Sequence, residues 1–128
     1  MSFIWTVTSS GPLTGPAPQC SGKTATVFVD SVSGIIVGGP DGGLTYSGRL
    51  RGTPGADVMV GTPGRDILLG SGGNDRICGG GGKDNIKGGA DNDRLFGQAG
   101  RDKLSGGRGF DRCDGGSGRD RSPPANRS

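Results

Sequence analysis

From Gly52 to Pro123 the chain reads as eight consecutive nine-residue blocks without insertion or deletion: GTPGADVMV, GTPGRDILL, GSGGNDRIC, GGGGKDNIK, GGADNDRLF, GQAGRDKLS, GGRGFDRCD and GGSGRDRSP. Glycine opens every block, and the sixth position is always aspartate: Asp57, Asp66, Asp75, Asp84, Asp93, Asp102, Asp111 and Asp120. The fourth position is glycine except at Asp91, and the eighth runs Met59, Leu68, Ile77, Ile86, Leu95, Leu104, Cys113, Ser122. A fixed short period separates a repeat solenoid from a flexible glycine-rich chain. Nine residues are too few for a strand and a helix together, but they suit one short strand at positions seven to nine and a six-residue turn. Positions seven and nine carry Arg76, Lys87, Arg94, Lys103, Arg112 and Arg121, so the apolar eighth residue faces inward. Each block is then half a coil, and repeat n stacks on repeat n+2 at about 4.8 Å. The expected fold is all-β, a parallel β-roll with one core residue per repeat.

Such a roll has little apolar surface to bury. Hydrophobic residues make up 29% of the chain and there are 30 glycines, so another source of folding free energy is required. The acids indicate which. All 12 are aspartate, whose short side chain suits loops and hard cations. The chain has no histidine, HExxH or G-x-S-x-G, which removes the usual general base and the common hydrolase signatures; it is not expected to be an enzyme.

A G-x-x-G-x-D loop supplies what Ca²⁺ requires, since glycine lets backbone carbonyls converge and aspartate adds charge. The blocks resemble the G-G-x-G-x-D-x-U-x nonapeptide of the haemolysin-type (RTX) calcium-binding proteins. That resemblance implies a right-handed β-roll in which each ion lies between loops n and n+2 and takes an aspartate from each. Asp57, Asp75, Asp93 and Asp111 would line one edge, and Asp66, Asp84, Asp102 and Asp120 the other. Backbone ligands would come from Gly61, Gly64, Gly70, Gly73, Gly79, Gly82, Gly88, Gly97, Gly100, Gly106 and Gly109. Eight loops then allow about three ions per edge, up to about six in all. Asp91 departs from the pattern at a turn position; aspartate tolerates the left-handed region, so the turn is expected to survive with a distorted site. Arg and Lys beside the ligands are expected to soften the calcium dependence.

Residues 1–22 read as an irregular leader, 23–51 as an N-terminal β cap, 52–123 as the roll and 124–128 as a tail. Within the cap, 25–29, 35–37 and 44–46 are β-like segments that would close the open end of the solenoid. Cys20–Thr26 is also similar to the C-x-G-K-x-A-T lead-in of actinobacterial secreted calcium-binding proteins. Cys78 at a ninth position and Cys113 at an eighth should point to opposite sides of the wall, about 9.6 Å apart and beyond disulfide reach. Cys20 with Cys78 is the expected disulfide, suited to an oxidising compartment. No segment has the length of apolar chain needed to span a bilayer, and the first residues show no signal peptide. The cations alternate with aspartates along the chain and have no aromatic platform beside them, which argues against specific nucleic-acid binding. The leading expectation is an extracellular, calcium-dependent structural or binding module; the alternatives are a repeat fragment of a secreted RTX enzyme (protease or lipase) or an adhesin.

Overall fold

The computed structural model describes residues 17–116. The first 16 residues of the leader, most of the eighth repeat with Asp120, and the tail 124–128 lie outside the described residues. Within them the chain is all-β and has no helix. The end of the expected irregular leader is instead a strand, β1 (Gln19–Cys20), paired with β2 (Lys23–Thr24) at the start of the cap, which also contributes β3 (Phe28–Val29) and β4 (Ile36–Val37). β5 (Arg49–Arg51), at the end of the expected cap, joins the roll's own strands β6 (Val58–Val60), β7 (Ile67–Leu69), β8 (Arg76–Cys78), β9 (Asn85–Lys87), β10 (Arg94–Phe96), β11 (Lys103–Ser105) and β12 (Arg112–Asp114).

The expected stacking of n on n+2 is what forms. One four-stranded parallel sheet runs β6-β8-β10-β12 and the other β5-β7-β9-β11, giving a β-solenoid. Register is uniform: Leu95 pairs with Ile77 and Cys113, and Leu68 with Leu50 and Ile86. Every strand centre therefore points inward. Leu50, Met59, Leu68, Ile77, Ile86, Leu95 and Leu104 are buried and form a single cluster with Val27 and Ile36. A nine-residue period keeps this alternation constant, because each step of 18 residues returns the chain to the same phase of the pleat.

The cap closes the first coil in two ways. Val27 forms a parallel bridge with Met59, and the Val60 N–H donates to the Val27 carbonyl at 3.1 Å, extending the β6 sheet by one rung. The β5 edge lies beside the turn that holds Asp41, whose carboxylate accepts from Arg51 Nη2 at 2.7 Å and Nε at 2.8 Å. The β-like segments shorten relative to expectation: 25–29 yields β3 plus the Val27 bridge, and 44–46 only the Thr45 bridge to Ile35. Positive φ at Ser21 (50°) and Gly22 (85°) makes a tight two-residue turn between β1 and β2. That hairpin is bound to the outer face of the β8 sheet by the Cys20–Cys78 disulfide, with Cα atoms 5.5 Å apart. The expected pairing is present, and Cys113 is a free thiol at the far end of the core.

Candidate metal centre

The sixth-position aspartates turn inward beside the apolar rungs. Asp57, Asp66, Asp75, Asp84, Asp93, Asp102 and Asp111 are each no more than 7% exposed. They divide into the two expected stacks, joined by a contact that the repeat pattern alone does not reveal. In both stacks the backbone N–H of an aspartate donates to Oδ1 of the aspartate one coil further on, at Asp57, Asp66, Asp75, Asp84 and Asp93. Asp57 donates to Asp75 at 2.8 Å, Asp75 to Asp93 at 2.8 Å and Asp93 to Asp111 at 2.7 Å. On the other edge Asp66 donates to Asp84 and Asp84 to Asp102, both at 2.9 Å. One carboxylate oxygen is thus committed to holding the coils in register.

The second oxygen is different. Oδ2 of Asp75, Asp84 and Asp93 is buried and accepts no hydrogen bond. It lies against the opening glycine of its own repeat. A Cβ on Gly70 would meet Asp75 Oδ2 and the Gly88 carbonyl oxygen, each at 2.5 Å, so a carboxylate and a carbonyl of the next coil converge there. The first-position glycines therefore serve close approach, whereas Gly73, Gly82, Gly100 and Gly109 at the fourth position adopt positive φ. Positive φ also recurs at the second position, at Ser71, Gly80, Gly89, Gln98, Gly107 and Gly116, which sequence reasoning missed. Asp91 keeps the fourth-position turn with φ of 70°, and its Oδ2 accepts from the Gly73 N–H at 2.9 Å. In the sixth repeat Gln98 Oε1 does the same for the Gly80 N–H.

These residues fit a hard divalent cation. Buried carboxylate oxygens without donors are costly unless a cation compensates them, and the surrounding donors are oxygen. Among the described residues no three Asp, Glu, His or Cys side chains converge as a metal-binding group. An ion would accordingly draw on few carboxylates and complete its shell with loop carbonyls.

The electrostatics carry the same message. Burial pushes the Asp75 carboxyl up to about 8, against the Asp57 N–H that lowers it, with the Asp93 and Asp57 charges adding to the rise. Asp84 is raised to about 8 and Asp93 to about 6, again chiefly by burial. In the unfolded chain these groups titrate near 3.8. Between the two values the folded, metal-free roll binds more protons than the unfolded chain, so this contribution to stability is present at low pH and lost as pH rises through about 8. The melting temperature of the metal-stripped chain is expected to fall between about pH 5 and pH 8. A flat profile across that window would contradict the assignment.

The first two loops are built differently. Thr53 and Thr62, each followed by proline, occupy the second position without positive φ. The Thr53 N–H donates to Asp57 Oδ2 at 2.7 Å and its hydroxyl to Oδ1 at 3.0 Å. Thr62 serves Asp66 in the same way, at 2.8 and 2.7 Å. Tyr46 adds its hydroxyl to Asp66 Oδ1, and burial together with that bond raises the phenol well above its ordinary range. These carboxylates begin the two stacks, where no preceding aspartate supplies a backbone donor, and local hydroxyls take its place. The signal was in the sequence: only these two blocks read Thr-Pro at positions two and three.

A family model described as the RTX calcium-binding nonapeptide repeat (4 copies) matches residues 51–86, 79–113 and 87–121. No curated protein matches the chain.

Proposed function

Because the chain belongs to the RTX calcium-binding nonapeptide repeat family, whose repeats bind calcium, we propose that its roll is a calcium-dependent structural module, folded and held by ions between stacked loops. The single observation that carries this reading is the row of buried, donorless Oδ2 atoms at Asp75, Asp84 and Asp93. In the proposed arrangement Asp75 and Asp93 act on one edge and Asp84 and Asp102 on the other, with carbonyls of their glycine loops completing each shell. A bound ion supplies positive charge where burial raises the carboxyls of Asp75, Asp84 and Asp93. Asp57 and Asp66 contribute less, since threonine donors already satisfy them. Asp111 closes the far end of its stack, and Asp120, which would follow Asp102, lies outside the described residues.

This ranking reduces the number of tightly held ions from the six that the loops allow to about four. Calorimetric titration of the metal-stripped chain with calcium is the test. Saturation near about four ions per chain supports the ranking, six equivalent ions would remove the distinction drawn for the first two loops, and no saturable heat would defeat the proposal. A repeat-only solenoid of this kind fits a non-catalytic module. RTX repeat proteins are typically secreted, and the disulfide is consistent with an oxidising, calcium-rich exterior, so we place the working protein outside the cell.

A further inference from the structure

The formal net charge of +3 conceals how the charges are sorted in space. Along the chain cations alternate with aspartates, yet in the roll the sixth-position aspartates are buried while the residues on either side face out. Outside that buried row, the only acids among the described residues are Asp30, Asp41, Asp91 and Asp114. The two faces also differ. On the β6-β8-β10-β12 face the outward cations are Arg76, Arg94 and Arg112, accompanied by Asp114, and the cap hairpin lies against it through Cys78. On the β5-β7-β9-β11 face, Arg65, Lys83 and Arg101 form a column in the loops leading into the strands, with Arg49 and Lys103 at position seven and Arg51 and Lys87 at position nine. None of the outward positions of those four strands is acidic, and Asp41 from the cap pairs with Arg51 alone of these cations.

The column repeats at the coil spacing, about 4.8 Å. At its N-terminal end the face deepens into a cleft of about 640 Å³, where Arg49 and Arg65, with Arg51 paired to Asp41, stand around the apolar side chains of Ile36, Leu44 and Ile67. Stacked like charges raise the potential along such a face, and an anion laid on it relieves their mutual repulsion. We propose that this face binds a linear acidic polysaccharide, carrying carboxylate or sulfate groups, laid along the solenoid axis from the cleft toward Lys103. A sugar polymer offers anionic groups at a regular spacing comparable with that of the coils and lets the ring faces rest on the apolar cleft wall. Single-stranded nucleic acid is less suited, because the face presents no outward aromatic residue on which bases could stack. An anionic bilayer is less suited too, because the exposed apolar residues of the cleft, Leu44 and Ile67, are two side chains among cations rather than a continuous apolar face. The inference does not depend on the bound ions: the cations face outward in either case, and loading the buried aspartates with calcium only makes the charge more positive.

The test measures binding of the full chain, in calcium, to short dextran sulfate, with uncharged dextran as the blank. The triple variant Arg65→Gln, Lys83→Gln, Arg101→Gln is expected to weaken binding at least about tenfold, and the opposite-face triple Arg76→Gln, Arg94→Gln, Arg112→Gln less than about threefold. Both remove the same charge, and far-UV CD checks that both remain folded. Equal losses from the two triples would show a response to net charge alone and overturn the site. Tighter binding of a single-stranded oligodeoxynucleotide or of phosphatidylglycerol vesicles than of dextran sulfate would overturn the class of partner.

Discussion

Replacing Asp75 and Asp84 together by asparagine is expected to weaken calcium binding at least about tenfold while leaving the metal-free chain no less stable at about pH 8. The pair separates the two tasks of the carboxylate. Asparagine keeps an Oδ1 that can accept from the Asp57 and Asp66 N–H groups, so the register contacts at 2.8 and 2.9 Å survive. It places an amide nitrogen where the donorless Oδ2 stood, which removes a cation ligand and also removes a charge that burial disfavours. Calorimetry would report the loss of affinity, and far-UV CD in a chelator at about pH 8 the metal-free state, in which the variant should hold at least as much β structure as the parent. Equal destabilisation with and without calcium would mean that these aspartates serve the backbone alone.

Reducing the disulfide is expected to produce the second large effect. Cys20 and Cys78 are 58 residues apart, and closing a loop of that length removes unfolded-state entropy worth about 4 kcal/mol. For a domain of this size that corresponds to a fall in melting temperature of roughly 15–30 °C. The bond also fixes the β1–β2 hairpin on the roll, and the residues that follow it lead directly to the Val27 rung capping the core. Melting in calcium with and without reductant measures the effect, and Cys113→Ser, which removes only the free thiol, should leave that difference intact. A shift of only a few degrees would show that the cap stands without its staple.

The period made much of this legible in advance. A constant nonapeptide assigns every side chain a direction, which is why the two sheets, the single-residue rungs, the two stacks of aspartates and the Cys20–Cys78 pairing could all be anticipated from residue positions. The remainder depended on contacts that the period does not encode. The sequence shows that Asp75 recurs with Asp93, but not that Asp75 donates its N–H to Asp93 Oδ1, because that bond depends on the pitch of the stacked loops. Cap residues have no repeat to phase them, so Tyr46 reaching Asp66 and Val27 extending the β6 sheet were not readable. Alternation of charge along the chain was misleading about space. Residues five and seven flank the aspartate on opposite sides in sequence, yet both turn outward while it turns in, so an alternating string becomes a cationic exterior around an acidic interior.

Calcium removal bears on this account most directly, since the apolar cluster is one residue per repeat and the buried carboxylates oppose folding unless a cation or proton compensates them. Far-UV CD of the disulfide-intact chain at about pH 8, in excess EDTA and then in millimolar calcium, should show β structure largely lost in the chelator and restored by the ion. The same β content in both solutions would contradict it.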